Sequence, residues 1–321
     1  MTNYFKGKKV LITGGAGFFG INFTKRFLEL GANVRVSLHN SKPSWKDPSV
    51  EYITANLEKA EDCACVCKDI DYMLIASANS SGAAIMEHTP LVHLTPNLIM
   101  NARLLEAAYA QGVSKTLFFS SNTVYPLTDF AVSESDTNFE YFTKYHVVGW
   151  MKRFSEIMCD MYSNHIKNPI HTIIVRPGNA YGPFDKFDPE KSKVIPALIR
   201  RAIQRENPFK VWGDGNDLKD FIYIDDLVEG SLLALEKLNS PDPINIASGQ
   251  PVTIRKVLTH ILKASCYESA EIQYDESMPS MIPKRMIDIQ KANDLLGFAP
   301  IVGIEEGIER TVQWYSENNK N

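Results

Sequence analysis

Apolar residues along the chain fall into short blocks separated by longer amphipathic stretches. Lys8–Thr13, Asn33–Leu38, Glu51–Ala55, Tyr72–Ala76, Thr116–Ser120 and His171–Val175 are of strand length and rich in Val, Ile, Leu and Phe. Gly20–Leu30, Lys59–Lys68, Leu98–Gln111 and Phe142–Ser163 carry apolar residues at helical spacing. Strands alternating with helices predict an α/β fold, a doubly wound parallel sheet with ligands at its strand C-termini. After residue 183 the pattern loosens and Pro and Gly become more frequent. This predicts a sheet-bearing domain over 1–183 and a smaller lobe over 184–321, with some later chain returning to the first domain.

Composition narrows the possibilities. The 321 residues include 34 Lys+Arg and 38 Asp+Glu, a formal charge of −4, and 44% are hydrophobic. That apolar content excludes intrinsic disorder, and the acidic balance gives no footprint for nucleic acid. No run approaches the ~20 apolar residues of a membrane helix. Met1–Lys6 contains no apolar signal core, so a cytoplasmic location is expected. Five cysteines fit a reducing compartment. Cys63, Cys65 and Cys67 alternate, unlike a paired zinc spacing, and no metal site is expected.

The strongest local signal is Val10-Leu11-Ile12-Thr13-Gly14-Gly15-Ala16-Gly17-Phe18-Phe19-Gly20, where a strand ends in glycines and a helix starts. Gly14 permits a tight turn, Gly17 a close approach of backbone to pyrophosphate, and Gly20 close packing of helix on strand. The phosphate would sit on the N–H groups opening the helix, around Phe18 and Phe19. This pattern predicts a Rossmann-type site for a dinucleotide.

The spacing Gly14-x-x-Gly17-x-x-Gly20 resembles the fingerprint of extended short-chain dehydrogenase/reductases, most of which modify nucleotide sugars. The resemblance runs from about residue 8 to 316. It is carried further by Asn97 with Leu104–Ala108, by Phe118–Tyr125, by Arg176–Pro183 and by Gly213–Asp226. The segment from Ser77 to Ala108 and the ending Gly303–Asn319 are most similar to GDP-fucose synthase and related GDP-sugar epimerase/reductases. The resemblance implies NAD or NADP as cofactor, a nucleotide-sugar substrate with a GDP-sugar favoured, and a homodimer built on two long helices per subunit. The carboxylate that usually grips the adenosine ribose is missing at Val36–Asn40; His39 ends the strand, Lys42 follows and Arg35 is near, which favours NADP. Asn56 stands where the family often has Asp near the adenine.

The family's catalytic pair is a Tyr and a Lys four residues on. The cation lowers the phenol pKa from ~10, so that it can move a proton at neutral pH. Ser121 fits the accompanying Ser/Thr. Lys152, with Glu156 and Tyr162, fits the helix register, but four residues earlier stands Val148. Tyr145 lies seven residues before Lys152, about 700° of helical rotation and about 10 Å of rise. It is one candidate acid. Tyr141 with Lys144 is another, and loss of the usual acid is a third. His88 and His146 are further candidates for moving protons. The neutral Asn122-Thr123 argues against a dehydratase and for an epimerase or reductase. The resemblance places Asn179, Lys219 and Arg285 at the substrate diphosphate. Asp225 and Asp226 are expected to cap the following helix.

Overall fold

The computed structural model describes residues 3–79, 91–278 and 282–319. Among them the first half alternates as the sequence pattern predicts: β1 Lys9–Ile12, α1 Phe18–Glu29, β2 Asn33–Leu38, β3 Glu51–Thr54, α2 Ala60–Cys67, β4 Tyr72–Ile75, α3 Leu91–Ala110, β5 Lys115–Phe119, α4 His146–Asn164 and β6 His171–Pro177. Short 3-10 turns occupy Asn122–Val124, Glu134–Asp136 and Thr143–Tyr145. The second half carries β7 Asn179–Tyr181, α5 Val194–Ile203, β8 Phe209–Trp212, β9 Leu218–Lys219, β10 Phe221–Tyr223, α6 Ile224–Lys237, β11 Ile244–Ile246, β12 Val252–Thr253, α7 Ile254–Ala264, β13 Ile272–Asp275, β14 Lys284–Arg285, α8 Gln290–Leu296 and α9 Ile304–Asn318.

The main sheet has seven strands in the order β11-β6-β5-β4-β1-β2-β3, and every pair is parallel. Successive strand residues point to opposite faces, so the apolar runs divide between two cores. Val10, Ile12, Leu74, Leu117, Phe119, Ile173 and Val175 enter one core. Leu11, Met73, Ile75, Phe118 and Ile174 enter the other, against α2, α3 and α4. The first core continues into the smaller lobe through Ile195 and Leu198 of α5, Val257 and Ile261 of α7, and Ile308 of α9. The chain beyond 183 is therefore not all lobe, because β11 completes the main sheet and α6 packs on it. Lys115, at the start of β5, donates to the carbonyls of Leu235, Glu236 and Leu238 at 2.9, 3.2 and 3.0 Å. It thus satisfies the C-terminal carbonyls of α6, the pole where a cation is favoured. No helix of the described residues is long and apolar enough to cross a membrane.

Two expectations are corrected. The helix expected from Leu98 begins at Leu91 and contains Pro96. Proline lacks an N–H, which strips Val92 of its intrahelical donor; the Asn79 side-chain amide replaces it at 3.1 Å. Asp226 does not cap α6. Its carboxylate accepts the N–H groups of Ile301 and Val302 at 3.1 and 2.9 Å, and Tyr223 is the N-cap, without a side-chain bond. The alternating cysteines lie on α2, with Cys63 and Cys67 buried, Cys65 exposed, and burial pushing the Cys63 thiol up to about 11.

The least expected packing is a buried ion pair joining α4 to the sheet. Arg176 of β6 grips Glu156 of α4 in a fork, Nε to Oε1 and Nη2 to Oε2, both at 2.8 Å. Ser120 and Arg153 also donate to this carboxylate. Arg176 Nη1 reaches the Tyr125 hydroxyl, the Glu134 carbonyl and the Thr137 hydroxyl. Burial alone would raise the Glu156 pKa, but these donors, Arg176 foremost, hold it below the usual carboxylate range. Replacing Glu156 by Gln leaves Arg176 buried beside a neutral amide, and the expected loss is about 3–5 kcal/mol of stability in denaturant unfolding. A carboxyl with a depressed folded pKa stabilises above its unfolded pKa and loses that contribution as pH falls through the folded one. The wild type should therefore show this acid-dependent loss, and Glu156→Gln should lack that part of the pH profile.

Candidate active site

The strand order reverses direction between β1 and β4, which in doubly wound sheets opens a crevice beyond the strand C-termini. The glycine turn fills its floor. Gly14 has φ +69°, and a Cβ there would lie 2.7 Å from the Ser77 Cα. A Cβ on Gly17 would lie 3.2 Å from the Gly14 carbonyl, and one on Gly20 only 2.4 Å from that oxygen. At these three glycines a side chain would clash, so the turn packs tightly against β4 and the start of α1. Phe18 and Phe19 open α1 with N–H groups that no intrahelical acceptor precedes. Their rings turn inward: Phe18 is buried, and Phe19 packs edge-on to Phe119 at 5.1 Å. Thr13 ties β1 to β4, its hydroxyl accepting the N–H groups of Ala76 and Ser77 at 3.1 Å. The next residues are fixed by Asn97, whose Oδ1 accepts the Asn79 N–H at 2.7 Å.

The adenosine end is sparser. His39 and Lys42 are exposed beyond β2, and Asn56 is half-buried, its Oδ1 accepting the Glu58 N–H at 3.1 Å. Arg35 does not join them. It binds Glu51 at 2.8 Å and the carbonyls of Val66 and Lys68 at 3.0 and 2.7 Å, which commits it to the end of α2.

The sheet delivers the chemical groups at the end of β5. Ser121 caps the 3-10 turn Asn122–Val124, its Oγ accepting the N–H and hydroxyl of Thr123 at 3.2 and 2.9 Å. Its own O–H remains free to donate. Lys152 projects from α4 to the same place. Its Nζ donates to the Phe119 carbonyl at 2.7 Å and lies 4.9 Å from the Phe118 ring centroid. Burial lowers its pKa to about 8, against the pull of Glu156 and Cys159. Helix α4 sits this close because residue 149 is glycine, where a Cβ would lie 2.9 Å from the Thr123 carbonyl. Val148, one turn before Lys152, is half-buried and presents only methyl groups.

The remaining candidates lie apart. Tyr145 is the N-cap of α4, and burial raises its pKa with no cation to oppose it. Tyr141 precedes the 3-10 turn that holds Lys144, so the two share no regular helix face. Its hydroxyl is buried without a partner, and the charges around it are Arg153, Glu156 and Arg176. His146 is exposed beside Tyr141 and Trp150. His88 lies outside the described residues.

In the lobe, Arg285 and Lys219 face each other across the β14–β9 pair. Arg285 is 2% exposed, donates to the Tyr125 and Pro126 carbonyls, and leaves its Nε buried without a partner. Burial lowers its pKa to about 10. Lys219 is also lowered, by burial first, and pairs with Asp217 at 3.1 Å and with the Ile282 carbonyl. Asn179 donates its side-chain amide to the Asp220 carbonyl at 2.9 Å. The model for NAD dependent epimerase/dehydratases matches residues 10–247.

This chain belongs to the NAD-dependent epimerase/dehydratase family. A probable GDP-L-fucose synthase 1 of Oryza sativa is 29% identical, over 98% of this chain and 93% of the rice protein. The dTDP-4-dehydro-6-deoxy-D-allose reductase of Streptomyces bikiniensis is 27% identical over 98% of both chains. Among solved structures, UDP-glucose 4-epimerase of Thermotoga maritima, determined with UDP-glucose, superposes with TM-score 0.87 at 26% identity, covering 96% of this chain and 99% of that one.

Membership in the epimerase/dehydratase family implies a nicotinamide dinucleotide, and the glycine turn, the unpaired amides of Phe18 and Phe19, and Lys152 with Ser121 fit such a group. The supports missed by the sequence reading are Thr123 and the Glu156–Arg176 pair; Glu156 was visible as a residue one turn beyond Lys152. Gly14→Ala should cost about 1–3 kcal/mol through left-handed backbone strain. Thermal melts and NADPH fluorescence titration should show lower stability together with weakened binding.

Proposed function

We propose that this protein transfers hydride at C4 of a nucleotide sugar, acting as an NADPH-consuming reductase of a 4-keto sugar carried on GDP. The observation that carries this reading is the anchoring of Lys152 Nζ on the Phe119 carbonyl at the end of β5, two residues before Ser121. The dinucleotide supplies the hydride when bound. The amides of Phe18 and Phe19 would hold its phosphates, with Gly14 and Gly17 giving clearance, and Lys152 would face the nicotinamide ribose. Ser121 would donate its free O–H to the sugar oxygen. Asn122 and Thr123 offer no carboxylate to draw a proton from carbon, which favours reduction or epimerisation over dehydration. The absence of a carboxylate after β2, with Lys42 and His39 exposed there, supports NADP. The rice relative's name supports GDP. Asn179, Lys219 and Arg285 are assigned to the diphosphate, since two cations lowered by burial would both be stabilised by an anion.

Val148 favours a second reading, a binding protein that keeps both pockets without turnover. Denaturing the purified protein and identifying released nucleotide by mass spectrometry separates the possibilities. Little retained nucleotide, with saturable NADPH binding, is expected for the reductase. Retained NAD points instead to a C4 epimerase, in which the hydride returns to the sugar. Failure to bind either cofactor overturns hydride transfer. Removing one positioned donor, Ser121→Ala, should lower kcat by about 10²–10³ with NADPH affinity unchanged; a protein without turnover shows no such change.

The same reading includes a homodimer. Helices α3 and α4 pack together, with Asn101 donating to Ser155 at 2.9 Å, and expose Val92, Ile99, Trp150, Phe154 and Met161 outward. Phe154→Glu should convert a dimer to a monomer in sedimentation velocity while leaving far-UV circular dichroism unchanged.

A further inference from the structure

We propose that Lys152 is itself the proton donor of the reaction, giving its ammonium proton to the oxygen that Ser121 holds. The proposal rests on the hydride-transfer reading above. A carbonyl reduced at carbon needs a proton at oxygen, and the group that supplies it must stand at the end of β5. Val148 has no proton to give. Tyr141 faces the Arg153–Glu156–Arg176 cluster with its hydroxyl buried. Tyr145 stands at the N-cap of α4, about 10 Å along the axis from Lys152. Lys152 Nζ reaches the end of β5, bonded to the Phe119 carbonyl two residues before Ser121. That bond uses one of its three protons and leaves two.

The surroundings suit the role. Glu156 and Cys159 stand one and two turns further along α4, and Glu156 is held by Arg176 of β6, Arg153 and Ser120. From β5, Nζ meets only the Phe118 ring and the Phe119 carbonyl. Burial therefore acidifies the ammonium to about 8, with its nearest carboxylate occupied elsewhere, which brings it toward the range where a general acid works best. The step balances. The sugar carbonyl carbon gains the hydride of a dihydronicotinamide, its oxygen gains the proton, and the amine left on Lys152 regains a proton from solvent.

Two experiments test this. In the ligand-free protein, the pH dependence of acetic anhydride labelling at Lys152, read by mass spectrometry, should have its midpoint near 8; a midpoint at the ordinary 10.5 overturns the proposal. In turnover, NADPH oxidation is followed with GDP- and dTDP-4-keto-6-deoxyhexoses. The wild-type kcat should fall above pH about 8, as the donor deprotonates. Lys152→Arg keeps the charge but not the acidity, and should lose about 10²–10⁴-fold in kcat with NADPH still bound. Adding Val148→Tyr to that variant should recover at least about 10-fold, because a phenol then supplies the missing proton. The same Val148→Tyr change in the wild type should gain under about threefold, because there Lys152 already supplies the proton; an equal gain in both backgrounds overturns the lysine's role. A Lys152→Arg variant within about threefold of wild type, or a Tyr145→Phe loss as large as that of Lys152→Arg, overturns the lysine's role but leaves hydride transfer standing. A wild type that oxidises NADPH with neither sugar, and that releases no NAD when denatured, overturns the hydride-transfer reading, and the proposal falls with it.

Discussion

The carboxylate of Glu156 is the point on which the site's geometry hangs. It lies between α4 and the sheet and receives Arg176 from β6, Ser120 from the end of β5 and Arg153 from its own helix. A buried carboxylate is tolerated only when its lone pairs are satisfied, so helix, β5 and β6 must keep one mutual position. That position sets where Lys152, one turn earlier, meets the strand, and where Ser121, one residue beyond Ser120, begins its turn. The pair touches no proposed ligand, yet the spacing of the groups that do depends on it.

The two cores explain how a sheet this exposed to ligand at one edge stays rigid. Each central strand sends alternate residues to opposite layers, and β4, β5 and β6 are buried along nearly their whole length. The candidate site residues stand just past the strand ends, where the backbone leaves the ladder and its groups become available. Thr13 and Ser121 are both of this kind, one fastening neighbouring strand ends and the other opening a 3-10 turn.

Local chemistry was legible in the residues. Strand runs, the glycine turn and the frame that puts Val148 one turn before Lys152 depend on spacing along a single element, and the structure places each there. Long-range partners were not legible. Arg35 reads as a cation near the adenosine, but strand alternation points it at the carbonyls ending α2. Arg285 reads as an open phosphate ligand, yet most of its fork is taken by backbone of the segment after β5. The third helix reads only from Leu98, because nothing near Pro96 announces that Asn79 will occupy the carbonyl it vacates. In each case the deciding atom lies more than a dozen residues away in sequence, beyond the reach of any periodic pattern.

The return of the later chain to the main sheet makes the two halves inseparable. A fragment ending at residue 183 would lack β11 and expose the ladder edge of β6, a template for pairing with other chains. It would also lack α6, leaving the Lys115 ammonium in an apolar setting without the carbonyls that now surround it. The half that carries the glycine turn is thus no portable module. Recombination that exchanged the later chain at that boundary would invite aggregation, and a workable crossover has to carry α6 and β11 along with the sheet they complete.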